Sequence, residues 1–164
     1  DGNDTIVGGN NFDIILGDAG NDTITGDAGN DTIEGGAGND TITGGTGVDR
    51  LIGDAGSDVF IYGSLTQLVL DTGDNEARSD RIVNFDTGVD TIQTGLAGTA
   101  ANFDLVFGAN NYADAKQEAE TAFDGVIQYI YSDFGVLFVD TNKDGIADAS
   151  ILSNGAIAFA DIVA

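Results

Sequence analysis

Large apolar residues recur at every ninth position through the first third of the chain, each within a short stretch of alternating character. They are Ile6, Ile15, Ile24, Ile33, Ile42, Leu51 and Phe60. The three residues centred on each suit a short strand, because side chains of a strand alternate between its two faces. Seven copies at a fixed period predict a solenoid whose stacked turns bury a continuous apolar ladder.

The residues between these strands are rich in glycine. The nine-residue phrase is clearest as GDAGNDTIT from residue 17, and it repeats from Asp1 to Ile61. Glycine prevails at positions one, two and four, where we expect it to allow backbone angles that a Cβ would forbid. Its replacements there are residue types that tolerate a left-handed backbone, namely Asp18, Asp27 and Asp54 at position two and Asn11 at position four.

Position six of the phrase is aspartate in every copy: Asp4, Asp13, Asp22, Asp31, Asp40, Asp49 and Asp58. A solenoid stacks these carboxylates, and like charges held close together repel unless something compensates them. A hard divalent cation takes oxygen ligands, which carboxylates and turn carbonyls supply. The chain contains no His and no Cys, so the usual zinc ligands are missing.

This nonapeptide resembles the repeats of the RTX (repeats-in-toxin, haemolysin-type) family, which bind calcium. The resemblance implies an all-β parallel β-roll over residues 1–61, in which alternate repeats stack into two sheets. One column would hold the repeats of Asp4, Asp22, Asp40 and Asp58, and the other those of Asp13, Asp31 and Asp49. Three intervals in the first column and two in the second imply about five Ca²⁺ ions.

In the family, each calcium lies between stacked turns, where Asp side chains and backbone oxygens of the glycine-rich turn bind it. The resemblance therefore implies metal ligands at the seven aspartates and at turn glycines, namely Gly2, Gly8, Gly9, Gly17, Gly20, Gly26, Gly29, Gly35, Gly36, Gly38, Gly44, Gly45, Gly47, Gly53 and Gly56. Asn11 departs from the family's pattern, which puts the site between Asp13 and Asp31 in question.

The segment Asp80–Ile92 predicts two short strands around a turn at residues 86–88. It is similar to a DxIxDFxxGxDxI segment that follows the repeats in serralysin-type proteases, with Asn84 in place of one acid. We favour a plain hairpin with polar ends. The alternative is that Asp80 or Asp90 is a further calcium ligand.

Residues 62–164 are predicted to form a β-rich capping region with one short helix. Strands are expected at residues 103–107, 126–131, 136–139 and 150–152, and the helix at residues 112–123, after a cap at Asn111. The loop from 140 to 148 matches the start of an EF-hand loop, although its flanks suit strands. It is either a plain Asp-Gly turn or a calcium-compatible loop with ligands at Asp140, Asn142, Asp144 and Asp148.

The net charge of the chain limits the partners that it can bind. The chain carries 28 acidic and 5 basic residues, for a formal charge of −23, which argues against nucleic acid as a partner. No apolar run is long enough to insert into a membrane.

Without His or Cys, the usual Ser-His and Cys-His nucleophile pairs cannot form, so we expect no catalysis. Because the sequence starts within a repeat, we interpret it as a C-terminal fragment of a longer protein.

The chain ends in an acid followed by apolar residues, Asp161–Ala164, similar to the tail of serralysin-type proteases. That similarity implies a C-terminal signal read by type I (ABC transporter) secretion machinery. The other interpretation is an ordinary last strand that closes the sheet, and the two interpretations can hold together. We therefore expect a secreted, non-catalytic module that folds when it meets extracellular calcium. The alternative is a cell-surface segment, of a surface layer or an adhesin, that calcium drives to self-assemble.

Overall fold

A computed structural model describes residues 1–62, 80–86 and 88–93, and the strands between residues 103 and 163. Every element in these ranges is a β-strand. The strands are β1 (Thr5–Asn10), β2 (Ile14–Leu16), β3 (Thr23–Ala28), β4 (Thr32–Ala37), β5 (Thr41–Thr46), β6 (Arg50–Ala55), β7 (Val59–Ile61), β8 (Asp80–Val83), β9 (Thr91–Gln93), β10 (Phe103–Val106), β11 (Gln128–Ser132), β12 (Val136–Asp140), β13 (Ala149–Ser153) and β14 (Ile162–Val163).

Successive strands of the repeats alternate between two sheets. The six-stranded sheet has the order β1-β3-β5-β7-β9-β14, and the eight-stranded sheet has the order β10-β11-β12-β13-β8-β6-β4-β2. Within the repeats all pairs are parallel, and each residue lies beside its counterpart two repeats later, as Ile24 lies beside Ile42 and Ile33 beside Leu51. This arrangement confirms the parallel β-roll, with two nonapeptides in each turn.

The core of the roll is the predicted apolar ladder. The inward side chains of the inner rungs are fully buried, at 0% exposure for Ile24, Ile33, Ile42, Leu51 and Phe60. The ladder continues through Ile82 and Ile92, which are equally buried. Phe85 packs on the end of this core, with its ring centroid 6.2 Å from that of Phe60.

The segment 80–93 is not a hairpin, which corrects the interpretation favoured from sequence. β8 pairs in parallel with β6, with Arg81 beside Arg50, and β9 pairs in parallel with β7, with Thr91 beside Val59. The two strands therefore belong to different sheets and form one more turn of the roll. The chain can do this because Asp80-Arg81-Ile82 and Asp90-Thr91-Ile92 repeat the Asp-x-apolar order of the nonapeptide.

The strands near the C-terminus attach to this last turn. β13 pairs in parallel with β8, and β11, β12 and β13 form antiparallel neighbours, which confirms the strands expected in these stretches. β14 pairs in parallel with β9, as expected of an ordinary last strand, and Ile162 is 8% exposed. The helix predicted at residues 112–123 and the loop at residues 141–148 lie outside the described residues. The described part of the chain contains no helix of the length and hydrophobicity needed to cross a membrane.

Candidate metal centre

The turns adopt the left-handed backbone at positions two and four of the phrase. At position two, φ is +108° at Gly36 and +113° at Gly45. The aspartates that replace glycine there adopt it too, with φ of 71° at Asp18, 73° at Asp27 and 68° at Asp54, as does Asn11 at position four with φ of 78°. The replacements therefore keep the turn geometry, as predicted, and Asn11 does not interrupt the roll.

The glycine at position one is conserved within the repeat for a different reason, which corrects the expectation that backbone angles require it. Gly17 does not have a positive φ. A Cβ at Gly17 would lie 2.5 Å from Oδ2 of Asp22 and 2.5 Å from the carbonyl oxygen of Gly35. At Gly8, a Cβ would lie 2.9 Å from both equivalent oxygens. Position one is therefore glycine because two oxygens from successive turns converge on the space that a side chain would fill.

Hydrogen bonds join successive aspartates of a column: the backbone N–H of one aspartate donates to the carboxylate of the aspartate one turn later. The backbone N–H of Asp22 donates to Oδ1 of Asp40 at 2.8 Å, and the N–H of Asp31 donates to Oδ1 of Asp49 at 2.8 Å. The same bond, at 2.7 to 3.0 Å, joins Asp4 to Asp22, Asp13 to Asp31, Asp40 to Asp58, Asp49 to Asp80 and Asp58 to Asp90. The structure thus brings the aspartates together in the two columns expected from sequence, and adds Asp80 and Asp90 to them.

The other carboxylate oxygen of most of these residues has no hydrogen-bond partner among the described residues although it is buried. These oxygens are Oδ2 of Asp13, Asp22, Asp31, Asp40, Asp49, Asp58 and Asp80. The position-six aspartates from Asp22 to Asp58 are at most 2% exposed. A buried polar atom without a partner is rare in native proteins and costs about 1–3 kcal/mol, more when it is charged.

Burial disfavours the ionised form of these carboxyls. It raises the pKa of Asp40 and Asp49, an effect that the backbone N–H bond opposes and the carboxylate of the preceding turn reinforces. Burial also raises the pKa of Asp58 to about 6, with a contribution from the charges of Asp90, Asp40 and Asp54. It raises the pKa of Asp80 to about 8, with a contribution from the charge of Asp49. Burial, with the neighbouring charges of Asp80 and Asp49, also raises the pKa of the Tyr62 hydroxyl well above its ordinary value.

These observations fit a hard cation between successive turns of a column. The oxygens that converge on Gly8, Gly17 and Gly26 are one carboxylate and one carbonyl each, which is the donor set that calcium prefers. Among the described residues, no three acidic, His or Cys side chains converge to hold a metal by themselves. Backbone oxygens of the turns would therefore have to supply part of the coordination.

The further ligands expected from sequence lie in different places. Asp80 and Asp90 are 1% exposed and lie in the columns. Asp140 is the last residue of β12, and Asn142, Asp144 and Asp148 lie outside the described residues. A second ladder was not expected: the side chain of Asn21 accepts the N–H of Asn39 at 2.9 Å, and that of Asn39 accepts the N–H of Ser57 at 2.9 Å. This ladder joins the turns without any ion.

Comparison with known proteins agrees with this geometry. Residues 1–33 and 25–60 match the family model of the RTX calcium-binding nonapeptide repeat. The solution structure of the AlgE6R2 subunit of the Azotobacter vinelandii mannuronan C5-epimerase is similar in fold, with a TM-score of 0.58 at 21% identity over 96% of this chain and 90% of that one. The AlgE6R3 subunit of that epimerase aligns over 99% of this chain and 78% of its own at 25% identity, but a TM-score of 0.31 is too low to indicate a shared fold. No curated protein matches the chain significantly.

Proposed function

We propose, from the RTX calcium-binding repeats of residues 1–60, that this segment is the calcium-dependent folding module of a secreted protein and performs no catalysis itself. The observation that carries the proposal is the double row of buried carboxylate oxygens without partners among the described residues. Such a row destabilises a metal-free fold. It becomes a set of ligands once cations lie between the turns.

The magnitudes favour folding that depends on calcium. Seven unpartnered carboxylate oxygens at about 1–3 kcal/mol each would oppose folding by on the order of 10 kcal/mol. That is comparable with the whole net stability of an ordinary domain, about 5–15 kcal/mol. A ligand that binds only the folded form adds about 1.4 kcal/mol for each site when its concentration is ten times its dissociation constant. Several ions together can therefore reverse the balance.

The proposed ligands are the aspartate column and the glycine-rich turns named from sequence. In the interval between Asp22 and Asp40, they are Oδ2 of Asp22 and the carbonyl oxygen of Gly35, with other turn oxygens completing the shell. Calcium accepts such mixed and flexible oxygen cages, whereas magnesium demands a tight octahedron and releases water reluctantly. The formal charge of −23 also favours cation uptake, since it destabilises the compact metal-free chain.

Secretion completes the proposal. RTX repeat proteins are typically secreted, and a chain that stays unfolded where calcium is scarce is suited to a narrow export channel. We propose that residues 161–164 form the address read by a type I transporter. Deleting them from a secreted fusion of the chain, in a host with a matching transporter, should lower the amount in the culture supernatant without lowering expression. Unchanged secretion of the truncated fusion would remove this part of the proposal.

Circular dichroism of the purified chain tests the calcium-dependent folding. In excess chelator the spectrum should be mainly disordered, and added calcium should produce a cooperative gain of β signal at roughly millimolar concentration, the range of extracellular modules. Equal β content in chelator and in calcium would contradict the proposal.

A second candidate function is assembly of a surface layer or an adhesin. One observation favours it: the first two strands and the turn between them carry exposed apolar side chains, Val7, Phe12, Ile14 and Leu16, at 55–68% exposure. Light scattering with and without calcium separates the two functions, because the folding module stays monomeric and the assembly segment polymerises.

A further inference from the structure

We propose that the ladder of calcium sites extends beyond the nonapeptide repeats, with one further site between Asp49 and Asp80 and another between Asp58 and Asp90. The inference rests on the proposed calcium-binding function and fixes how many ions that function uses. The first column then has four intervals and the second has three, so that the chain would bind seven ions rather than five.

The interval between Asp49 and Asp80 has the geometry of the intervals inside the repeats. The N–H of Asp49 donates to Oδ1 of Asp80 at 2.8 Å, the same length as the bond from Asp31 to Asp49. Oδ2 of Asp49 has no hydrogen-bond partner among the described residues, and the residue is 2% exposed. This oxygen also lies closest to the position where Gly44 would carry a Cβ, as Oδ2 of Asp22 does at Gly17. The two aspartates are 31 residues apart rather than 18, so the repeat spacing does not reveal the pair.

The interval between Asp58 and Asp90 is built in the same way. The N–H of Asp58 donates to Oδ1 of Asp90 at 3.0 Å. Oδ2 of Asp58 is buried without a hydrogen-bond partner among the described residues, and it lies closest to the position where Gly53 would carry a Cβ. The residue itself is 0% exposed. A buried carboxylate oxygen without a hydrogen-bond partner among the described residues is the feature shared by every interval of the ladder except the first, between the exposed Asp4 and Asp22.

The two columns end differently at these aspartates, because a protein donor occupies the second oxygen of Asp90 whereas Oδ2 of Asp80 has no hydrogen-bond partner among the described residues. The second oxygen of Asp90 accepts the N–H of Asp86 at 2.9 Å. On the other column, the Tyr62 hydroxyl is buried and lies beside the carboxylate of Asp80. In the following rung of the eight-stranded sheet, Ile151 lies beside Asp80, and this residue is not acidic.

The two sites would join the repeats to the C-terminal part of the chain. β8 lies between β6 and β13, and β9 lies between β7 and β14. Ions at the two proposed sites would therefore hold β6 to β8 and β7 to β9, and β8 and β9 are the strands with which β13 and β14 pair. Calcium would then order the junction as well as the repeats.

The calcium count of the full chain of 164 residues tests the inference. Bound calcium is measured by equilibrium dialysis at saturating calcium for the wild type, Asp80→Asn, Asp90→Asn and the control Asp86→Asn. The control removes an acid from the same turn, but Asp86 is exposed and lies outside both columns. We expect seven ions in the wild type and the control, and six in each of the other two variants. A wild-type count of five that both column variants leave unchanged would overturn the inference but leave the proposed function standing. A chain that binds no calcium would overturn both.

Terbium luminescence gives a second measurement that does not depend on the stability of the aspartate variants. A Tb³⁺ ion between Asp49 and Asp80 would lie near Tyr62, whose ring can transfer excitation energy to it. Excitation of tyrosine should give terbium emission from the wild type, and Tyr62→Phe, which keeps all the aspartates, should lower that emission several-fold. Emission that Tyr62→Phe leaves unchanged would contradict an ion at this position.

Discussion

Replacing Gly17 with alanine tests the ion cradle with a single methyl group. Gly17 does not have a positive φ, so alanine is compatible with its backbone. The added Cβ would lie 2.5 Å from Oδ2 of Asp22 and 2.5 Å from the carbonyl oxygen of Gly35. The carboxylate of Asp22 cannot withdraw easily, because its Oδ1 accepts the N–H of Asp4 and the N–H of Asp22 donates to Asp40.

The expected effect has two parts. Overpacking a close-packed site costs about 1–3 kcal/mol, and losing one ion removes about 1.4 kcal/mol at a calcium concentration ten times the dissociation constant. The sum is roughly 2–4 kcal/mol. If about seven ions bind as folding occurs, this free energy divides among them, and each ion accounts for RT times the logarithm of the change in midpoint. The calcium midpoint should then rise about 1.6- to 2.6-fold.

The assay is a calcium titration followed by circular dichroism, together with the ion count at saturation. Gly17→Ala should bind one ion fewer than the wild type, with the raised midpoint. Thr23→Ala, an exposed change in the same repeat, serves as the control and should leave both quantities nearly unchanged. An unaltered ion count and midpoint in Gly17→Ala would refute the cradle, since the backbone at this position does not itself require glycine.

Three other predictions follow from the same columns. Asp31→Asn and Asp49→Asn should raise the calcium midpoint to a similar extent, because each aspartate would lie between two of the proposed calcium sites, and a clearly smaller shift for Asp49→Asn would place the end of the column at that residue. Magnesium should not fold the chain at concentrations where calcium does, and a circular dichroism titration in which both ions act equally would contradict the cage. In chelator, lowering the pH from 8 to 4 should increase the β content. The folded forms of Asp80 and Asp58 have pKa values of about 8 and about 6, against an ordinary 3.8, so over this range the folded state binds protons that the unfolded state does not. Loss of β signal on acidification in chelator would contradict this predicted pH dependence.

The roll could be predicted from sequence because its period is regular. An apolar residue every nine positions and an aspartate two residues before it define the strands, the core and both columns. The pairing of Ile24 with Ile42 and the bond from Asp22 to Asp40 follow once alternate repeats are stacked.

The last turn of the roll was missed because its spacing is irregular. Asp58 and Asp90 are 32 residues apart, and Asp80 and Asp90 are ten apart rather than nine. A signal was present, since Asp80-Arg81-Ile82 and Asp90-Thr91-Ile92 keep the local order of the repeat. That local order does not show with which strands the two segments pair. The pairing of β8 with β6 and of β9 with β7 places Asp80 and Asp90 in the columns.

The role of the first glycine was also beyond local inference. Backbone preference explains glycine at positions two and four, where φ is positive. At position one the constraint comes from a carbonyl one full turn away, as Gly35 lies 18 residues beyond Gly17. A contact between turns leaves no trace in the conformational preference of a single residue, so sequence alone could assign this glycine only to the turn.

A crystal structure of the chain grown in calcium would test the metal ladder most directly. We predict an ion in the interval between Asp22 and Asp40, bound by Oδ2 of Asp22 and the carbonyl oxygen of Gly35 at about 2.3–2.6 Å, the range of calcium–oxygen distances. Anomalous scattering would identify it as calcium. A fully folded roll with only water, or with nothing, between these two aspartates at millimolar calcium would contradict the claim that cations compensate the buried carboxylates.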